Sequence, residues 1–545
     1  MTARRTIIRL VVIAAAFVAA VCLCRDVRRI VDVFGRRQNA EFADAFRAIA
    51  AEVGDARVAM PCADPSEPDP FERTKLTLLD WELSPRTVRP IAFEDVSTWD
   101  GDLVTSAFLS ARKKDALVAA GCVRKAENGF AMVWHRGDSE PRYRGEIAGR
   151  VRPSGGIREW VGALMTMQLI LLGWWGLRTG PFRFSLWKLL GALSVFAVLS
   201  AVALEIGLSA PNGFAVYAGK AKLILSAGGI PSGFWSDPAF AVYQPSYPPG
   251  MVLPPLVAYA LSGGAGEHGV QLFVPLIMAL VFLEMNARAV RVDARAVVTL
   301  LMSVSPLALQ LASGFAAEPL AALVLLMGWN ALSLGRTFRG WALVGCVGLV
   351  RPEGIVLAFS VWLAAAVGVR GRFAWAGFPC GGWRGFVLAL APGACWAAVA
   401  AMSGAFVQGF DFHSAPSVAR MASVAIGLVS EMFADPFRAG APWLFVMAAG
   451  IVRALRSGSE SAWGGVRVAG LSALLSAGAC VVLFGFNVSD HFEWMIANAL
   501  PRFLWLSSLP LVLEMIVTGP ERVDLIATVD LVRQSSHRAK FHASA

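Results

Sequence analysis

The chain has 545 residues, of which 56% are hydrophobic and only 16% charged, a balance too apolar and too poor in charge for a soluble protein of this length. A formal net charge of +10 would suggest a nucleic-acid partner in a soluble protein, but here Lys and Arg sit mainly in short links between apolar stretches, where they orient helices in a bilayer. No nucleic acid is expected, and none of the cysteines and histidines has zinc-ligand spacing, so no structural metal is indicated.

In chain order, the first apolar run, Ile7–Cys24, follows Arg4 and Arg5 and reads as an uncleaved anchor (residues 1–24) rather than a signal peptide, because no clear small-x-small site precedes Arg25. Residues 25–157 are polar and, at roughly 130 residues, long enough to hold their own core. Their patterning predicts a mixed α/β domain. A helix is expected over 40–53, strands at Arg57–Met60, Leu103–Ser106 and Ala131–Trp134, and a helix over Lys113–Ala120 stopped by Gly121. Cys62 and Cys122 fall in this domain; a disulfide and two unpaired small core residues suit the sequence equally, so no bridge is predicted.

Residues 158–517 carry the remaining apolar stretches: Trp160–Leu177, Leu186–Leu208, Val270–Ala287, Ala296–Leu311, Ala317–Leu334, Trp341–Val350, Gly354–Val369, Gly385–Met402, Pro442–Ile451, Ala469–Phe486 and Leu500–Val517. With a cytoplasmic N-terminus, every link on the inner side is basic, from Arg178, Arg183 and Lys188 through Arg336 and Arg339 to Arg453, Arg456 and Arg467. The same parity puts 25–157, 209–269, 403–441 and 487–499 outside and makes the tail, 518–545, cytoplasmic. Met251–Leu261 is too short to cross and contains Pro254-Pro255, so it is expected as an outer-surface or re-entrant helix. The predicted fold class is an α-helical polytopic membrane protein of about twelve spans, with an extracytoplasmic α/β domain inserted near the N-terminus.

Candidate chemistry gathers on the outer side. In loop 209–269, Lys220 and Lys222 follow Tyr217 on an apolar helical stretch at the membrane surface, where they either hold a lipid phosphate or snorkel. Asp237 lies further along, and Tyr247-Pro248-Pro249 fixes a rigid turn with a structural role. Glu318 opens a span and Arg351-Pro352-Glu353 interrupts one, placing ionisable groups where charge is expensive. A substrate site is favoured there over an internal Arg351–Glu353 bridge and a helix-start role for Glu318. Asp411, His413, Asp490 and His491 are second-rank candidates, against which solvated loop charge is the competing reading.

The order of these pieces resembles the GT-C type membrane glycosyltransferases, the mannosyltransferase and aminoarabinose-transferase-like superfamily, over nearly all of residues 186–517. The resembling text is Tyr217 to Ala221, Gly229-Ile230-Pro231, Tyr247-Pro248-Pro249, Glu318 and Arg351-Pro352-Glu353-Gly354. The polar domain is similar to the soluble domain that such enzymes carry at the other end of the chain, through Asp55–Val58, Leu83–Val88, Asp102–Thr105 and Ala131–Trp134. One departure concerns catalysis: the family places an acidic base about three residues before the tyrosine, and Gly213-Phe214 stand there.

The resemblance implies transfer, with inversion, of a sugar from a polyprenyl phosphate to an extracytoplasmic glycan, lipid or protein acceptor, at a bacterial inner membrane with the active face outside. Glu205 or Asp237 would take the acceptor proton. Lys220, Lys222 and Arg351 would meet the phosphate charge, with Tyr217, Tyr247, Glu318 and Glu353 around the substrate. No cofactor is required, and a divalent cation is permitted. The missing acid favours a non-catalytic scaffold protein of envelope assembly as the alternative. A transporter of lipid-linked substrate ranks lower, because no internal repeat is evident and the charges gather at the outer face rather than near the midplane.

Overall fold

Val58–Cys62 (β1) buries four of its five side chains, as a strand covered on both faces must. The computed structural model places it inside a five-stranded sheet ordered β2-β1-β3-β5-β4, where β2 is Val88–Ala92, β3 Gly101–Ser106, β4 Val123–Glu127 and β5 Ala131–Arg136. The structure describes residues 53, 58–62, 88–106, 110–127, 131–136, 186–206, 214–231, 233–237, 240, 243–262, 270–287, 299, 303, 305–370, 382–404, 415–434, 464–487 and 492–517.

β1 runs parallel to β2 and β3, and β5 antiparallel to β3 and β4. Helix α1 (Ala111–Ala119) joins β3 to β4. It ends as predicted at Gly121, whose φ of +81° lets Gly121 N donate to Val118 O and Cys122 N to Leu117 O, the bond pair that satisfies the last helical carbonyls. Ala59, Leu103, Leu117, Met132 and Trp134 form the core of this domain. Cys62 and Cys122 are buried free thiols. The three predicted strands are present, each somewhat extended. β2 and β4 went unpredicted because Pro90 interrupts one and Arg124, Lys125 and Glu127 hide the alternation of the other; both are edge strands, where such residues are tolerated. The helix expected over 40–53 falls outside the described residues apart from Val53.

The remainder is helical: α2 (Leu186–Ile206), a π-helical turn (Phe214–Gly219) running into α3 (Lys220–Ser226), α4 (Leu253–Ser262), α5 (Phe273–Met285), α6 (Pro306–Ser313), α7 (Glu318–Ser333), α8 (Thr337–Cys346), α9 (Gly354–Arg370), α10 (Gly382–Met402), α11 (Val418–Ala434), α12 (Gly464–Gly485) and α13 (Phe492–Val517). Three segments, Leu186–Leu204, Gly382–Met402 and Val466–Gly485, are long and apolar enough to cross a membrane among the described residues. The chain is therefore compatible with a membrane protein. The predicted spans Trp160–Leu177 and Pro442–Ile451 lie outside the described residues.

Three expectations are corrected. The span predicted at Ala296–Leu311 is broken at Ser305, whose side chain accepts from Ala308 N at 3.3 Å and starts α6 with Pro306 in its first turn; a serine cap followed by proline is a strong helix start. The outer stretch 403–441, read as a link, contains the 17-residue α11. Val424 and Leu428 on α11 are buried while Val418, Ile426 and Val429 are exposed, so it is apolar on more than one face. The last helix begins at Phe492 rather than Leu500, which shortens the link expected at 487–499. Met251–Leu261 is indeed a short helix, the ten-residue α4.

Polar side chains sort these helices into two ends. Lys188 Nζ, at the start of α2, donates to Ala287 O just past α5 at 3.2 Å, so those two run antiparallel. Asn330 Nδ2 donates to Glu284 Oε1 at 2.6 Å, and Trp329 Nε1 to Glu514 Oε1 at 2.8 Å. Glu318 meets Arg502 at the other ends of α7 and α13, about 16 Å away along the helices at 1.5 Å per residue. α7 and α13 are therefore parallel.

Candidate functional site

α8 closes in a tight turn over Val347–Leu349, and Val350 N and Arg351 N both donate to Val347 O at 3.1 Å. Pro352 cannot extend that helix, and Gly354 N, donating to Arg351 O at 3.0 Å, begins α9. The turn is so close that a methyl group on Gly354 would overlap the Val347 carbonyl. Its effect is to hold the Arg351 side chain at the mouth between two helices.

The Arg351 guanidinium is gripped on both sides. Nε and Nη2 donate to the two carboxylate oxygens of Glu353 at 3.2 Å each, and Nη1 donates to Glu318 Oε1. This is the planar fork that arginine alone among cations can make. Glu318 is buried as the first residue of α7, where the free N–H groups of the helix start also favour a carboxylate. Arg502 Nη1 from α13 stands 3.8 Å from the same Glu318 oxygen, and Arg502 Nε is buried with no hydrogen-bond partner among the described residues. Two guanidinium groups thus meet two carboxylates, and the cluster is neutral. Beside it runs a small cleft with Arg351 and Glu353 at its head and Val356, Cys480, Leu483, Phe484 and Phe503 along its wall.

The loop after α2 is fastened over this cluster. Tyr217, on the π-helical turn, is buried within the fields of Arg351, Tyr247, Glu318 and Glu353, and burial pushes its phenol well above the usual tyrosine range. Such π turns recur at functional sites. Lys220, one helical turn on, is also buried; Nζ donates to Gln244 O at 3.0 Å and lies 5.9 Å from the centre of the Phe234 ring. The same carbonyl accepts from Tyr247 N at 2.9 Å, and Gln244 adopts φ +45°, an uncommon and strained backbone for a residue with a Cβ. Trp396 Nε1 of α10 donates to Ser246 O at 2.9 Å. Gly250 then sits so tightly that a methyl group would meet Leu349 O, in the turn that carries Arg351. The Tyr-Pro-Pro-Gly turn therefore packs against Leu349 and Val350, immediately before the Arg-Pro-Glu-Gly step.

No carboxylate among the described residues pairs with Lys220, and burial alone lowers its pKa to about 7. It does not reach out to an interface as a snorkelling lysine would. Lys222 is half-buried and, two residues on, points away from Lys220. Asp237 is half-buried at the end of the Gly233–Asp237 turn, its N donating to Gly233 O at 2.8 Å, three residues beyond Phe234. The Glu205 side chain, Asp411, His413, Asp490 and His491 lie outside the described residues. Among the described residues no group of three His, Cys, Asp or Glu side chains converges to cage a divalent cation.

The structure thus brings together Tyr217, Tyr247, Glu318, Arg351 and Glu353, with Lys220 attached through Gln244. Sequence reading missed Arg502, Gln244 and Trp396. Arg502 carried a signal, since an isolated charge inside an apolar run is itself a functional flag; a backbone carbonyl and an indole gave none. No family model, no curated protein and no solved structure matches this chain.

Gly250→Ala should cost about 1–3 kcal/mol by forcing the loop off the Leu349 carbonyl, read as a lower thermal midpoint of the purified protein. Gly478→Ala, in open space on α12, should gain up to about 1 kcal/mol. For Lys220 the sign follows from its lowered pKa: the cost of burying the ammonium is fully present below about pH 7 and declines as pH rises toward the unfolded value of about 10.4. Lys220→Met should therefore stabilise the protein by an order of a few kcal/mol near pH 6 and by clearly less near pH 9. An identical difference at both pH values would contradict this.

Proposed function

We propose that the chain is a GT-C type membrane glycosyltransferase that moves a sugar from a polyprenyl-phosphate carrier to a glycan, lipid or protein acceptor outside the cytoplasm. The observation that carries this reading is a half-buried arginine at the head of an apolar cleft, held on one side by a deep carboxylate and on the other by a more exposed one. Glu318 is 3% exposed and Glu353 24%, so Glu353 is the partner that an incoming anion can displace. A phosphodiester offers the same two-oxygen edge to Arg351 Nε and Nη2 that Glu353 offers. The prenyl chain would pass over the apolar wall of Val356, Leu483, Phe484 and Phe503, the cleft itself holding little more than one water molecule.

Supporting this reading are the order of the sequence motifs and the packing of Gly250 against Leu349, two residues before Arg351. In the reaction, the acceptor oxygen attacks the anomeric carbon and the bond from that carbon to the phosphate oxygen breaks. The charge arriving on the phosphate is met by a guanidinium already held in place by Glu318, which costs no reorganisation at that moment. Glu205 or Asp237 would take the hydroxyl proton in place of the acid that the resemblance puts at Gly213-Phe214. The distribution of basic links supports an outward orientation for this end of the helices, and the resemblance supports a bacterial inner membrane.

The non-catalytic reading draws on a specific observation too: with two acids and two guanidinium groups the cluster has no surplus positive charge, and Gly213-Phe214 stand where the family has its acid. Such a protein would hold the carrier without turnover.

Membranes containing the protein should transfer label from a pool of radiolabelled polyprenyl-phosphate sugars, and control membranes should not. Glu353→Gln should tighten binding of undecaprenyl phosphate about threefold to tenfold, because a competing carboxylate worth ~1 kcal/mol is removed. Arg351→Gln should abolish binding. Retained binding with no transfer from any donor would establish the non-catalytic reading; movement of the donor into sealed vesicles would establish the transporter.

A further inference from the structure

We propose that Arg502 makes the first contact with the carrier's phosphate, before Glu353 gives up Arg351, and that the seated phosphate then bridges both guanidinium groups. This rests on the carrier reading above. It adds a second phosphate-binding residue, on a helix that none of the sequence motifs includes.

Arg502 is brought to the cluster and left unused there. Its Nη1 stands 3.8 Å from Glu318 Oε1, too far for a hydrogen bond, and its Nε is buried without a partner. Among the described residues its guanidinium donates no hydrogen bond at all. Arg351, by contrast, donates from Nε, Nη1 and Nη2 to Glu318 and Glu353. A guanidinium carries five N–H donors, and holding it half-buried without acceptors is costly. Glu318 already accepts from Arg351, so satisfying that carboxylate does not require Arg502. An arriving anion would satisfy the idle donors.

The placement suits such an anion. Ala499 and Phe503 of α13 line the cleft, and Arg502 lies between them, three residues after the one and next to the other. Both guanidinium groups approach the same oxygen, Glu318 Oε1, so their Nη1 atoms are no more than about 7 Å apart. One tetrahedral phosphate can touch both. Arg502 is also the more open of the two, 21% exposed against 15% for Arg351. The order of contact follows, because at rest Glu353 occupies Arg351 Nε and Nη2 while nothing described occupies Arg502.

The charges agree with this order. At rest two guanidinium groups and two carboxylates leave the cluster neutral. Once Glu353 is displaced, Arg351 and Arg502 face Glu318 alone, and a single surplus positive charge appears, equal and opposite to that of a phosphodiester. Without Arg502 the displaced site would be a neutral Arg351–Glu318 pair with no net attraction for the anion.

The test uses the full chain in nanodiscs and compares undecaprenyl phosphate with undecaprenol, which has the same chain and no charge. Arg502→Gln should weaken binding of undecaprenyl phosphate about tenfold to 100-fold, as expected for lost hydrogen bonds to a charged group, and leave undecaprenol binding unchanged. Phosphate binding within about threefold of wild type, or an equal loss for phosphate and alcohol, would overturn the role of Arg502. A second measurement needs no variant to fold: phenylglyoxal should modify Arg502 in the wild-type protein, and undecaprenyl phosphate, unlike undecaprenol, should protect it. Modification that the phosphate does not suppress, or no modification in its absence, would equally overturn the proposal. Binding abolished in Arg351→Gln but normal in Arg502→Gln would remove this inference and leave the carrier reading standing. A wild-type chain that does not bind undecaprenyl phosphate would remove both.

Discussion

A guanidinium held between two carboxylates is the interaction on which the arrangement of the described helices turns. Arg351 sits in the step between α8 and α9, Glu318 opens α7, and Arg502 approaches the same carboxylate from α13. Buried charges of this kind contribute little net stability, because desolvation offsets much of their attraction, yet removing one partner leaves an uncompensated charge that costs about 3–5 kcal/mol. The cluster therefore specifies which helix ends meet more than it glues them. Glu514 with Trp329, and Glu284 with Asn330, repeat the pattern at the opposite ends. Between those two polar layers the contacts are apolar and close, as where Gly345 and Gly348 abut the backbone of α10 at Leu388 and Gly393.

Arg351 and Lys220, at the same end of the helices, differ in kind. Arg351 is neutralised twice over, and its exchangeable partner, Glu353, faces the cleft. Lys220 is desolvated without a counter-charge, clamped by one carbonyl and roofed by a phenylalanine ring. Arg351 thus carries a charge fixed by its partners, and Lys220 one that burial alone opposes. The strained Gln244 backbone fits this contrast, since the carbonyl it presents serves Lys220 and the Tyr247 turn at once.

Much of this was legible in the sequence where one residue type dictates one conformation. Gly121 stopped α1, the Pro254-Pro255 pair marked a helix too short to cross, and Glu318, Arg351 and Glu353 announced themselves as charges in apolar text. What remained hidden depended on partners far along the chain. Spacing cannot show that Gln244, 24 residues beyond Lys220, turns a carbonyl onto it, so lipid contact and snorkelling looked equally good from the sequence. Nor can hydropathy alone find the break at Ser305 inside an otherwise apolar run, whereas α11, with Arg420, Ser423, Ser430 and Glu431 on one face at helical spacing, is legible in a stretch that reads as a link. The side chain of Glu205, an expected base, lies outside the described residues.

The central claim is that the carrier's phosphate seats on Arg351 with its prenyl chain over the apolar wall of the adjoining cleft. Photocrosslinking of the purified protein with a diazirine-bearing polyprenyl phosphate, followed by peptide mapping, tests this directly. The account predicts adducts on the cleft-lining stretches of α9, α12 and α13, around Val356, Leu483, Phe484 and Phe503, suppressed by excess unlabelled carrier. Adducts gathered instead around Glu514 and Lys188, or adducts that unlabelled carrier does not displace, would contradict it.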